Sequence, residues 1–285
     1  MAVLTYLDQN ALINLGRKAL ANDQFRAKLN DLIGSGALTV VLSPWHLVET
    51  AHHVKTEKAI QLAEFIDSLR PAWLLERYDV RTQEIHEDFF RFARIEVPKK
   101  ERVTPHSAAW ATMFHEADSA KFDIPSAAFV KQWIEHPEQL ETLRKTYSGN
   151  TDSLRRLRKA VKEGKVTDAI HKQSNQVFLK EHIPQLTPAG IEVPRSVAAE
   201  YIERGDIQSI PTMVLEKAIS EHEWKASGRD DRNTLIDKFH LIPALAYVDE
   251  IVSDDRFFHT IYPVVQKTGY VRANLIKFAE FLKRF

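Results

Sequence analysis

Four acidic residues stand at places in the chain where a carboxylate could do chemistry. Asp8 follows a short apolar run at the start of the sequence, and Asp255 follows another near residue 250. Glu49 lies about two turns into the helix predicted after a second strand, and Asp237 opens a later helix. In an open parallel sheet, ligands bind beyond the carboxyl ends of the strands, where the following helices also begin. We therefore expect these four acids to lie together.

Carboxylates gathered in a small space repel one another strongly, and a divalent cation removes that cost. Ligation by oxygen alone, with open positions, suits Mg²⁺ or Mn²⁺ rather than zinc. Such ions activate water and stabilise the pentavalent phosphate of phosphodiester hydrolysis. The pattern predicts a Mg²⁺ or Mn²⁺ site whose ligands and catalytic residues are Asp8, Glu49, Asp237 and Asp255.

Each acid also has a plainer interpretation. Asp8 could cap the helix that starts near Asn10, and Glu49 could be a solvated helix residue. Thr234 and Asp237 have the spacing of a capping box, with Asp in place of the usual Glu. The acidic turn before the helix at residue 256 could supply its N-cap, and these alternatives stay open at this point. Four further residues are candidates for supporting roles at the site: Asn10, Ser253, Asp254 and His240.

A parallel α/β sheet is the element that would position these acids. The first 70 residues read as strand, helices, strand and helix, with strands at Ala2–Leu7 and Leu38–Leu42. One long helix is predicted from Ser43-Pro44 to about Leu69, with Ser43 as its N-cap. A third strand is predicted at Val248–Val252. A short edge strand at Tyr270–Ala273 or slightly later, and a last helix from Leu275 to Leu282, would end the chain.

Residues 72–209 differ in character from both ends. Helical patterns dominate this range, strand patterns are scarce, and prolines recur, with Pro137 expected to split one helix. We predict a discontinuous core formed by residues 1–71 and 210–285, interrupted by a helical insertion at 72–209.

The composition narrows the function classes. The chain has 285 residues, 39 Lys plus Arg against 39 Asp plus Glu, and no cysteine. Balanced charge argues against a strongly basic nucleic-acid binder but permits a local basic patch. The lack of cysteine excludes disulfides, thiolate catalysis and Cys-based metal sites. No signal peptide or membrane-spanning run is visible, so a cytoplasmic protein without membrane association is expected.

The order of the acidic motifs resembles that of PIN-like (PIN-domain) nucleases. The matching stretches are Leu7-Asp8, the Ser43–Glu49 segment SPWHLVE, the Asp237–Ala246 segment DKFHLIPALA, and the Ser253–Phe258 segment SDDRFF. The resemblance extends over about the first 70 and the last 70 residues of the chain. The resemblance implies a Rossmann-like parallel sheet and a Mg²⁺- or Mn²⁺-dependent endonuclease that usually acts on RNA. It also favours Asp255 over Asp254 as the ligand.

Basic residues give a candidate surface for such a substrate. Helical spacing places several on one face of the insertion, although a solvated charged face is the usual explanation. The candidates for nucleic-acid contact are Arg155, Arg158, Lys159, Lys162 and Arg256.

We expect a metal-dependent endoribonuclease with nucleic acid, most simply RNA, as its partner. A non-catalytic PIN-like binding module acting through the helical insertion is the alternative, and a phosphoesterase for small phosphates is a third hypothesis. A zinc hydrolase using His46, Glu49 and His53 is disfavoured because neither HExxH nor HxxEH is present. A protein partner or a homodimer stays open.

Overall fold

The computed structural model describes residues 2–53, 55–114, 116, 118–148, 159–160, 163–165, 168–182, 193–225 and 232–285. For 232–239, and for some other helical residues, it describes the backbone alone. Within these residues the chain forms an α/β structure around a six-stranded sheet, as the sequence predicted. In this part of the chain, no helix has the length and apolar character needed to cross a membrane.

The sheet is parallel except at one edge. Its strands are β1 Val3–Leu7, β2 Leu38–Leu42, β3 Ala72–Leu74, β4 Val103–Thr104, β5 Glu250–Val252 and β6 Asn274–Ile276. Their spatial order is β4-β3-β2-β1-β5-β6, and only the β3–β4 pair is antiparallel. Tyr6 of β1 lies opposite Val41 on one side and Ile251 on the other. Strands from the two ends of the chain therefore meet at β1.

Helices connect and cover these strands. Their bounds are α1 Gln9–Ala21, α2 Asp23–Gly34, α3 Pro44–His53, α4 Thr56–Leu69, α5 Arg77–Phe92, α6 His106–Met113, α7 Ser126–Glu135, α8 Pro137–Ser148, α9 Asp168–His182, α10 Arg195–Arg204, α11 Pro211–Lys225, α12 Arg232–Tyr247, α13 Arg256–Gln266 and α14 Phe278–Phe281. Short 3₁₀ helices occupy Ser119–Phe122 and Leu282–Arg284. The predicted split at Pro137 is confirmed, because α7 and α8 meet there.

Both faces of the sheet are buried, which explains why its strands read as nearly continuous apolar runs. Leu7 and Leu42 face a core built with α1–α4, α6 and α7. Tyr6 and Val41 face a second core built with α11, α12 and α13. A third cluster joins α5 to α9 and α10. Helices therefore cover both faces of the sheet and fix the positions of its strands.

The boundary predicted at residue 71 does not separate the sheet from the helices. β3 and β4 both come from the range 72–209 that the sequence assigned to a helical insertion, and both belong to the central sheet. The backbone N–H of Leu75 also donates to the carbonyl of Arg102 at 2.9 Å, extending this edge. Beyond β4, the described residues up to 209 are helical or irregular.

Two helix predictions were wrong. The helix expected from Pro44 to Leu69 is two helices, because Lys55 adopts an extended conformation (φ −56°, ψ 140°) directly before α4. Both helices bury apolar residues in the same core. The final helix is shorter than expected, since Leu275 lies in β6 and α14 begins at Phe278.

Candidate carboxylate site at the switch point of the sheet

The direction of strand addition reverses between β1 and β5. From β1 the chain adds β2 and β3 on one side, and after β4 it returns to add β5 and β6 on the other. Such a reversal opens a crevice at the carboxyl ends of the strands, where α/β proteins bind ligands. Asp8 directly follows β1, and Ser253 directly follows β5. The backbone N–H of Asp8 donates to the carbonyl of Val252 at 3.1 Å, which joins the two strand ends.

Asp8 is held by donors from two elements. It is buried, with 5% of its surface exposed. One carboxylate oxygen accepts the backbone N–H of Ala11 at 2.6 Å, so Asp8 is the N-cap of α1. The other oxygen accepts the hydroxyl of Ser253. The capping interpretation of Asp8 is therefore correct, and it leaves the carboxylate at the switch point.

The pKa of Asp8 is raised by burial and by nearby negative charges. Burial raises the pKa of its carboxyl to about 6, against the opposing effects of the hydrogen bonds from Ser253 and Ala11. The negative charges of Asp255 and Asp254 raise this pKa further. The structure thus brings two of the four predicted ligands, Asp8 and Asp255, close enough to interact, together with Asp254, which was predicted as a supporting residue. A cation placed among them would reverse the shift.

The acidic turn after β5 has a defined shape. Ser253 is fully buried, and its hydroxyl oxygen accepts the backbone N–H of Asp255 at 3.0 Å. Asp255 in turn caps α13, and the more exposed Asp254 accepts the backbone N–H of Phe278 at 3.2 Å. His259 donates from Nε2 to the carbonyl of Ser253 at 2.8 Å. Backbone N–H donors therefore orient the carboxylates of both acids of the turn.

Glu49 lies on the helix beside this edge. It is half-buried on α3, one residue before Thr50, whose hydroxyl accepts from Gln9 Nε2 at 3.0 Å. Since Gln9 follows Asp8 in the chain, this bond ties the middle of α3 to the start of α1. His46 of the same helix donates from Nε2 to the carbonyl of Leu7 at 2.7 Å. These contacts place α3 against the end of β1.

The histidines near the site are core residues rather than exposed ligands. His46 uses Nε2 for Leu7 and Nδ1 for Ser43, and burial lowers its pKa to about 4, so the ring is neutral at neutral pH. Both ring nitrogens of His46 are therefore engaged, which removes it from the zinc hypothesis. His240 is also buried, and its Nδ1 hydrogen-bonds the hydroxyl of Tyr6.

Asp237 is placed by its backbone alone. It lies in α12 three residues before His240, a rise of about 4.5 Å along the helix axis. The contact between His240 and Tyr6 lies near the carboxyl end of β1, and α12 runs from there toward the start of β5. The helix begins at Arg232, before Thr234, so Thr234 is not the N-cap that a capping box needs. The side chain of Asp237 is outside the described residues.

The remaining candidates divide into two groups. Asn10 and Arg256 are exposed in the first turns of α1 and α13, beside Asp8 and Asp255. Lys159 is exposed and lies 3.9 Å from Glu163, as a solvated ion pair does. The other basic candidates, Arg155, Arg158 and Lys162, lie outside the described residues.

Among the side chains that the structure describes, no group of three or more His, Asp or Glu has the arrangement of a metal site. The side chain of Asp237, one of the four predicted ligands, is not among them.

Sequence reasoning missed a second set of buried acids on α5. Glu76, Asp79, Glu84 and Asp88 are each at most 9% exposed. Burial raises the pKa of Asp79 to about 8, with the nearby Glu76 adding to the shift. The pKa of Glu84 is also raised, mainly by burial. Their burial has no local signal in the sequence, because the donors to Glu84 lie 128 and 163 residues away.

Comparison with known protein families produced no match, and neither did comparison with curated proteins or with solved structures.

Proposed function

We propose that this protein is a metal-dependent endonuclease that hydrolyses phosphodiester bonds in RNA. The observation that carries the proposal is the meeting of Asp8 with Asp254 and Asp255 at the switch point between β1 and β5. Glu49 on α3 and Asp237 on α12 come from helices that border the same edge. PIN-like membership and the Mg²⁺ or Mn²⁺ cofactor are part of this proposal.

The residues at the edge fit a hard cation. Mg²⁺ keeps several waters and commonly takes only one or two protein carboxylates together with substrate phosphate oxygens. Asp8 and Asp255 would supply such carboxylates, with Glu49 and Asp237 as further ligands. When bound, the ion would lower the pKa of a water and neutralise charge that develops on the phosphate.

The protein's own part is to orient the carboxylates. The oxygens of Asp8 receive separate donors, the N–H of Ala11 and the hydroxyl of Ser253. A carboxylate oxygen has more than one acceptor position, so both oxygens can still bind a cation. Asp255 is oriented in the same way by the N–H of Phe257 at 2.6 Å. Preorganised ligands of this kind spend little of the binding energy on reorganisation.

Contacts with the substrate would come from residues outside the acid cluster, which is formed by Asp8, Asp254 and Asp255. Arg256 is exposed one residue after Asp255, where a guanidinium can contact a phosphate next to the scissile bond. The helical range after β4, with Lys159, would choose the RNA or a protein partner. Contacts with phosphate groups require positive charge but no precise arrangement of the side chains.

The test is cleavage of single-stranded and structured RNA and DNA, with Mn²⁺ or with EDTA. We expect Mn²⁺-dependent cleavage of RNA by the wild-type protein. Asp8→Asn and Asp255→Asn should each slow it at least about 100-fold. The matched control is Asp31→Asn, an exposed acid on α2, which should cleave within about twofold of wild type. Cleavage that survives EDTA, or that Asp8→Asn leaves intact, would overturn the proposal.

The alternatives give different results. A non-catalytic binding module would show no cleavage by any variant and no change of melting temperature with Mn²⁺. A phosphoesterase for small substrates would hydrolyse bis(p-nitrophenyl) phosphate but leave every nucleic acid intact.

A further inference from the structure

A concave site lies at the other end of β1 from the acid cluster. A pocket of about 550 Å³ is bordered by Leu4 near the start of β1, by Arg272 before β6, and by residues 99–103 leading into β4. Small-molecule sites have volumes of about 300–1,000 Å³. Leu4 and Asp8 are four residues apart on an extended strand, a distance of about 13 Å. The pocket is thus separate from the switch point.

The wall of this pocket carries more positive than negative groups. Five basic side chains line it: Arg91, Lys99, Lys100, Arg102 and Arg272. Three acidic side chains line it: Glu84, Glu87 and Glu101. Five against three leaves an excess of two positive charges when all are ionised.

Two of the three acids already have partners inside the protein. Glu84 accepts the hydroxyl of Tyr247 at 2.6 Å and the backbone N–H of Thr212 at 3.0 Å. Glu87 forms an ion pair with Arg102 at 3.0 Å. Their charge is directed into the wall, so only Glu101, which is exposed, opposes an incoming anion.

Two of the five basic side chains that line the pocket are left to contact a ligand. Arg91 and Arg272 each pair with an aspartate that does not line the pocket. Lys99 and Lys100 are exposed, and neither ammonium group has an ion-pair partner among the described residues. Adjacent ammonium groups at the mouth of a pocket favour a ligand with more than one negative charge.

Arg102 is a lining residue that several contacts hold in place. It is 6% exposed, donates to Gln83 at 2.9 Å, and its guanidinium lies 5.4 Å from the ring centre of Tyr247. Its Nε is buried and has no hydrogen-bond partner among the described residues.

We infer that this pocket binds a phosphorylated small molecule with at least two negative charges. The phosphate groups lie against Lys99 and Lys100, and the less polar part of the ligand lies against Leu4, Val103 and Pro211. The limited volume and the opposing Glu101 favour a small molecule over a continuous phosphate chain. This site is independent of the proposed nuclease activity.

Calorimetric titration with inorganic pyrophosphate and with ADP, both in EDTA, tests the inference. Wild type should bind both, more weakly as chloride is raised, because the contacts are largely electrostatic. Lys99→Gln/Lys100→Gln should bind pyrophosphate about tenfold more weakly or worse, since two charged contacts are lost. The control Lys55→Gln/Lys58→Gln removes two exposed lysines elsewhere and should keep wild-type affinity.

Asp8→Asn should also bind both probes as wild type does, which separates this pocket from the acid cluster. ADP binding tighter than pyrophosphate binding would show that the apolar wall contributes. The inference is overturned if neither probe binds wild type at millimolar concentration, or if the two double-lysine variants lose affinity equally. Unchanged melting temperatures of the variants exclude misfolding as the cause.

Discussion

Asp8 at the switch point and the acids of α5 are similarly buried, and they differ in the charged groups around them. Among the described residues, no Lys or Arg forms an ion pair with Asp8, Asp254 or Asp255, and their donors are backbone N–H and hydroxyl groups. The α5 region instead carries ion pairs: Glu216 of α11 pairs with Arg77 at 2.7 Å and also with Arg81. Burial alone therefore does not distinguish Asp8 from Asp88, whereas the neighbouring charges do: they are negative beside Asp8 and positive beside Asp88.

The α5 network fastens helices to each other. Asp88 accepts the hydroxyl of Tyr201 on α10 at 2.8 Å and pairs with Arg91. Glu84 joins α5 to α11 and α12 through Thr212 and Tyr247. These contacts tie the carboxylates of α5 to neighbouring helices. At the switch point, the neighbouring charges of Asp8 are those of Asp255 and Asp254, and both are negative.

The largest stability effect that separates the two groups should come from Asp8. Its pKa is about 6 in the folded protein, against the ordinary value of 3.8 expected when unfolded. Between pH 4 and pH 6 the folded state retains a proton that the unfolded state has lost. The free energy of unfolding should therefore fall as pH rises through this window, by up to about 3 kcal/mol.

Urea unfolding of wild type and Asp8→Asn from pH 3.5 to 7.5, in EDTA, measures this effect. The difference curve isolates Asp8, because Asp79 and Glu84 contribute equally in both proteins. Asp8→Asn should gain stability relative to wild type as pH rises to 6 and keep that gain above it. Parallel curves would show that Asp8 is ionised as easily as an exposed acid.

Glu84→Gln should have the next largest effect and the opposite sign. The amide supplies one acceptor oxygen for the donors of Tyr247 and Thr212, so a buried donor is left unsatisfied at a cost of about 2 kcal/mol. Chemical denaturation at pH 7 measures it, with the exposed Glu101→Gln as control. The rate of RNA cleavage per folded molecule should stay unchanged. A Glu84→Gln variant that is stable but inactive would contradict a purely structural role for Glu84.

Mn²⁺ should stabilise the protein through the switch point only. At a free concentration ten times the dissociation constant, the gain in free energy of unfolding is about 1.4 kcal/mol. It should grow between pH 5 and pH 7, because protons compete with the metal for Asp8. Differential scanning fluorimetry measures this shift. Asp8→Asn should lose most of it and Glu84→Gln should retain it, and an equal loss in both would contradict the assignment.

Ser253→Ala should have the smallest effect, about 1 kcal/mol of destabilisation at pH 7. The variant removes the hydroxyl that donates to Asp8 and accepts from Asp255. Because this bond lowers the pKa of Asp8, its loss should raise that pKa above 6 and move the pH window upward. Urea titrations at several pH values, with the exposed Ser196→Ala as control, measure both changes. An unmoved window would show that Ser253 does not orient Asp8.

The strand ends could be predicted because their signals are local. The apolar run Leu38–Leu42 and the apolar run ending at Asp8 have the length of buried strands, and both are present. β3 and β4 have three and two residues, too few for any periodicity to show. Only pairing with β2 and with each other makes them strands.

The acids of α5 could not be predicted because their partners are remote. Glu84 is 128 residues from Thr212 and 163 from Tyr247. An acid on a helix with no visible partner reads as solvated, whereas the fold buries it against donors from two other helices. Asp8 differs in this respect, since one of its donors, Ala11, is three residues away.

The pairing of β1 with β5 also has a consequence for how the protein is made. Ser253 and Asp8 are 245 residues apart. At about 5–20 residues per second, a ribosome adds Ser253 roughly 12–50 s after Asp8. During that time one edge of β1 has no strand to pair with, so it is open to other chains. The candidate site therefore forms late in synthesis, when Ser253 and the acids beside it reach the end of β1.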